Sequence, residues 1–84
     1  IKKLNINKMK AKITAILSEI RPEFDFTKDV NFIEEGMLDS FDVVSLVSSL
    51  DETFGISING MDILPDNFSS IENIIALLKK NGVE

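Results

Sequence analysis

The hydroxyl of Ser40 is the side chain in this sequence best placed for covalent chemistry. It lies in the run Gly36-Met37-Leu38-Asp39-Ser40-Phe41, where a glycine-containing loop gives way to a predicted helix. Asp39 is a favoured N-cap residue. It can accept the first free backbone N–H groups, which leaves the Ser40 hydroxyl to point outward. A helix N-terminus also stabilises a phosphate, through its unpaired N–H groups and dipole. The plain alternative is that Ser40 merely caps a helix. The rest of the sequence offers no partner for catalysis. The chain has no histidine and no cysteine, so a serine nucleophile lacks the usual adjacent base, and disulfides and thiolate metal sites are ruled out. Asp62, Asp66 and Asn67 do not reproduce the alternating ligands and closing Glu of an EF-hand loop. No catalytic residue and no metal site is assigned. Any unusual chemistry must come from a group that is attached or bound.

The elements that would position Ser40 are helical. Ile6, Met9, Ile13, Ile16, Leu17 and Ile20 follow the three–four spacing of one buried face, predicting a helix from about Asn5 to Ile20 that Pro22 ends. From Pro22 to Leu38 no period is sustained. Phe24, Phe26, Val30, Phe32 and Ile33 read as loop anchors dipping into a core, and a loop this long is often functional. Gly36 supplies a permissive backbone before the next element. The second helix is predicted from Asp39-Ser40 to about Phe54, with Val43, Leu46, Val47, Leu50 and Phe54 in one arc, Asp42 in the first turn and Gly55 as the C-terminal stop. Met61-Asp62-Ile63-Leu64 is expected to form a short helical turn before Pro65. The last helix is predicted to begin at Ser69, with Glu72 completing a capping box, and to bury Ile71, Ile74, Ile75 and Leu78. Lys79, Lys80 and Gly82 suit its end. The expected fold is all-α, a small helical bundle of three main helices plus a short turn, in one domain over residues 1–84. At 84 residues such a domain buries only about two-thirds of its unfolded-chain surface.

Phe41 falls opposite the predicted core arc, on the face shared with Ser45, Ser48 and Glu52, with Val44 at its border. An exposed Phe and Val beside a free hydroxyl, rimmed by Asp42, Asp51 and Glu52, has the make-up of a docking surface for transient partners with basic residues. The net charge is −5, and no Lys or Arg occurs between Asp29 and Leu78. These carboxylates are therefore expected to have no nearby cation. Such a surface repels nucleic acid. No apolar run spans a bilayer and no signal-peptide pattern is seen, so a cytoplasmic monomer is expected. On these grounds a small acidic interaction module remains open, with Ser40 as a cap only.

Leu38-Asp39-Ser40-Phe41 resembles the Asp-Ser-Leu signature of acyl carrier proteins, with Phe in place of the more usual Leu or Met. The likeness extends over most of the chain: the first helix, the long loop, the motif at the head of helix two, Phe54-Gly55-Ile56 after it, and the final helix. It implies the bundle of that family, in which Ser69–Lys80 would be the fourth helix. It implies that Ser40, next to Asp39, carries 4′-phosphopantetheine from coenzyme A as a phosphodiester, so that the arm brings the sulfur the chain lacks and holds an acyl or aminoacyl group as a thioester. The implied partners are a phosphopantetheinyl transferase, a loading ligase and downstream acyl-using enzymes, all reading helix two. Ser45 and Ser48 stand where fatty-acid carriers tend to have an acidic residue and a Met. Leu38 and the segment Met61–Phe68 are closer to D-alanyl and related aminoacyl carriers.

Overall fold

The computed structural model describes residues 5–83, and within them the chain forms three α-helices and two short 3-10 turns: α1 (Ile6–Ile20), α2 (Ser40–Phe54), turns at Gly60–Asp62 and Pro65–Phe68, and α3 (Ile71–Lys80). No strand occurs among the described residues. The expectation for residues 1–4 and 84 lies outside them. Asn5 caps α1 by accepting from Lys8 N at 2.8 Å. The helix buries Met9, Ile13, Ile16 and Leu17 against both other helices. Ile6, expected on that buried face, is 40% exposed. It sits in the first turn, where the helix reaches past the core. Arg21 at the end of α1 bonds to residues at the start of α2, and Lys12 lies over the Phe54 ring at the end of α2, 5.7 Å from its centroid. The two helices are therefore antiparallel.

The loop between them is irregular yet fixed. Phe26 and Phe32 are fully buried and meet edge to face at 5.0 Å and 83°, with Phe24 edge-on to Phe26 at 6.4 Å. Such aromatic pairs add attraction beyond the area they bury. The Phe32 backbone joins the loop to both neighbours. Its N–H donates to Ser69 O at 2.8 Å, and its carbonyl accepts from Met37 N and Leu38 N at 2.9 and 3.3 Å. The reversal this demands passes through Gly36 at φ 72°, a left-handed conformation that costs a side-chain-bearing residue about 1–2 kcal/mol. Met37 and Leu38 then plunge into the core at 6% and 3% exposure. Periodicity gave no hint of their burial, and together they determine where α2 begins.

One expectation about the second half is met with an addition, and one needs correction. The short turn expected before Pro65 forms over Gly60–Asp62, and a second follows at Pro65–Phe68. Asn59 caps the first by accepting from Met61 N at 2.9 Å, and Pro65, which needs no N–H partner, opens the second. These turns stand where a four-helix bundle would have its third helix. The cap of α3 is Ser70, which accepts from Asn73 N at 3.0 Å, rather than Ser69 paired with Glu72. Ser69 is instead buried, its hydroxyl donating to Asp66 O and receiving a bond from Asn73 Nδ2. With two adjacent serines, the one whose carbonyl is held by the Phe32 N–H turns inward and leaves the capping to the next.

Candidate functional site

Ser40 is the first residue of α2, and its side chain is exposed. The cap is a reciprocal pair on either side of it. Asp39 Oδ1 accepts from Asp42 N at 2.9 Å, and Asp42 Oδ2 accepts from Asp39 N at 2.9 Å. This capping box relieves Ser40 of the usual duty of a helix-start serine. Among the described residues no hydrogen bond engages its hydroxyl. The Asp39 carboxyl is held below its ordinary range, first by the Asp42 N–H and also by the nearby Arg21 charge. It thus stays ionised beside Ser40.

The expectation that the carboxylates of α2 have no nearby cation is overturned for Asp42, though not for Asp51 or Glu52. Arg21 Nε donates to Asp42 Oδ2 at 2.8 Å, Nη2 to Asp39 Oδ2 at 3.0 Å, and Nη1 to Glu23 at 3.3 Å. The bonds to Asp42 and Glu23, in that order, raise the guanidinium pKa. Its partners on α2 lie 18 and 21 positions along the chain. Helical spacing speaks only for neighbours three or four apart, so no sequence pattern could announce the pairing. The available signal was that this is the chain's one arginine, placed after α1 ends, and Arg is the cation whose fork suits carboxylates.

The outward face of α2 matches expectation in its apolar part. Phe41 is 83% and Val44 65% exposed, and Ser45, Ser48 and Glu52 are exposed beside them. Asp51 differs from the picture of a free rim charge. It is half-buried, and its Oδ1 accepts from Ile58 N at 2.9 Å, pinning the segment after α2. Sequence reasoning missed a second apolar group, Met61, Ile63 and Leu64, exposed at 83%, 36% and 54% in the segment of the 3-10 turns. Asp62 and Asn67 of that segment are in structural use: Asp62 pairs with Lys80 at 2.7 Å, and Asn67 donates to the Asp62 carbonyl. A groove of about 590 Å³ lies elsewhere, between α1, the Phe26–Phe32 loop and the start of α3, and none of its lining belongs to α2.

The site suits a phosphodiester. The helix end supplies positive potential, and the exposed position sets no steric limit on an attached arm. Residues 11–78 match the family described as the phosphopantetheine attachment site. That match makes the protein a carrier bearing covalent 4′-phosphopantetheine, of a class that tethers groups and does not catalyse. The chain belongs to this family, that of the acyl carrier proteins. No curated protein and no solved structure gives a significant match. No helix among the described residues is long and apolar enough to cross a membrane.

Proposed function

We propose that the arm is attached at Ser40 and that the protein, working as a cytoplasmic monomer, presents a short acyl or aminoacyl group to a succession of enzymes. The single observation that carries the reading is the exposed, unbonded hydroxyl at the head of α2, with Asp39 and Asp42 doing the capping. When bound, the arm supplies the thiol on which a group is held as a thioester. The protein's own residues position that arm and present a surface. The capping box fixes the helix head, and Phe41, Val44 and Glu52 are the proposed partner contacts, with Asp42 and Asp51 adding charge to the same helix. Incubating the apo protein with coenzyme A and a broad-specificity phosphopantetheinyl transferase is expected to add the mass of one arm. An unchanged mass would favour the non-covalent interaction module instead.

The cargo is proposed from packing. A long fatty chain needs room between helices, whereas an aminoacyl group can remain in solvent. Met9, Ile13, Leu17, Leu46, Leu50, Ile74 and Leu78 are all fully buried at 0% exposure, which favours a closely filled core. Ser45 and Ser48, which depart from the fatty-acid carriers, and the Met61–Phe68 segment, which resembles that of aminoacyl carriers, lean the same way. The holo protein loaded with an alanyl group is expected to melt like the unloaded form, and octanoyl loading to change it little. A marked rise in melting temperature on octanoyl loading, with shifts at buried amides of α2 and α3, would show a sequestered chain and point to a fatty-acyl carrier.

A further inference from the structure

Part of the negative charge beside Ser40 is already offset within the molecule. One guanidinium touches Asp39, Asp42 and Glu23, and Asp42 Oδ2 also receives the Asp39 N–H. A Lys or Arg from another protein must compete with a contact made at the effective concentration of an intramolecular one. Next to this partly neutralised cluster stand Phe41 and Val44, the most exposed apolar side chains of α2, three residues apart and so on one face. Glu52 is ten residues beyond Asp42 along the helix, about 15 Å, which exceeds the screening length of about 10 Å at 0.1 M salt. Its charge does not govern the helix head.

We infer that Arg21 is a specificity-determining residue: by pairing with Asp39 and Asp42 it offsets part of their charge and competes with any outside cation for the carboxylates flanking Ser40. Enzymes that take Phe41 and Val44 into an apolar pocket are admitted, and enzymes that dock through basic residues are disfavoured. The inference rests on the assignment of the arm to Ser40. It makes Arg21 a device for rejecting partners, since specificity is a difference of affinities and is raised by weakening the wrong complex.

The test uses the full apo chain and two phosphopantetheinyl transferases, one with a basic carrier-binding face and one with an apolar face. Arg21→Gln is expected to lower the KM of the basic-faced enzyme roughly 3- to 10-fold. It should steepen that enzyme's salt dependence, with kcat and the apolar-faced enzyme unchanged. Arg21→Lys, which keeps the charge but not the fork, should fall between the wild type and Arg21→Gln, and amide spectra of both variants check that the fold persists. An equal change with both enzymes, or none with either, overturns the inference. Ser40→Ala, run alongside, reports on attachment separately: modification persisting there sinks the Ser40 assignment whatever Arg21 does.

Discussion

Ser40→Ala is expected to abolish transfer of phosphopantetheine while leaving the protein folded. The alanine offers no oxygen to form the phosphodiester, so the loss should be complete. The fold should survive because the helix start does not depend on this side chain. Asp39 accepts from the Asp42 N–H and Asp42 from the Asp39 N–H, so the cap remains, and an exposed substitution away from such features changes stability by about 0.5 kcal/mol or less. Ser45 and Ser48 make the sharpest controls. Both lie exposed on the same helix, yet each sits inside it, more than a turn beyond Ser40. Ser45→Ala and Ser48→Ala are expected to be modified like the wild type. Intact mass after incubation with coenzyme A and transferase reads all three variants, and transfer to Ser40→Ala at an undiminished rate would show that the arm sits elsewhere.

Phe32→Ala is expected to cost about 3–5 kcal/mol, the usual range for emptying a buried aromatic site. For a domain of this length the whole stability is roughly 4–13 kcal/mol, so this one change removes a large share. Phe32 is 1% exposed, stacks edge-on against Phe26, and its backbone binds Ser69, Met37 and Leu38. A collapse around the missing ring therefore pulls on the turn that sets Ser40 at the head of α2. The urea midpoint should fall sharply, and amide exchange should quicken from Gly36 to Asp42 before it does in α1. Phe32→Leu, which keeps most of the volume, should cost no more than about 1.5 kcal/mol. A loss below about 1 kcal/mol in Phe32→Ala would mean that the long loop is not anchored as described.

How much of this was legible in the sequence depended on the range of the interaction. α1 and α2 were readable because their signals are local: an apolar face at helical spacing, Asp39 at the start, Gly55 at the end. Gly55 duly adopts φ 64° as the C-cap of α2. The phenylalanines of the long loop could be recognised as anchors from their type alone. Met37 and Leu38 could not, since nothing periodic marks them and their burial follows from the reversal at Gly36. The start of α3 was misplaced by one serine because a capping pattern cannot tell which of two neighbours a distant backbone N–H will claim. At the candidate site the hydroxyl and the apolar contacts were visible in the run Asp39-Ser40-Phe41. The electrostatics were not, because Arg21 reaches Asp39 and Asp42 only once α1 and α2 have packed antiparallel.

The central claim, a phosphopantetheine arm on Ser40, is tested most directly by locating the arm in protein purified from its native host. Trypsin serves poorly, since no Lys or Arg occurs between Lys28 and Lys79 and every serine from Ser40 to Ser70 stays on one fragment. Cleavage on the N-terminal side of aspartate releases Asp39–Phe41, which holds Ser40, apart from Asp42–Leu50, which holds Ser45, Ser48 and Ser49. Mass spectrometry of these fragments is expected to find the added phosphopantetheine on Asp39–Phe41 and nowhere else. The arm on Asp42–Leu50 or on any other fragment, or native protein with no added mass at all, would contradict the account.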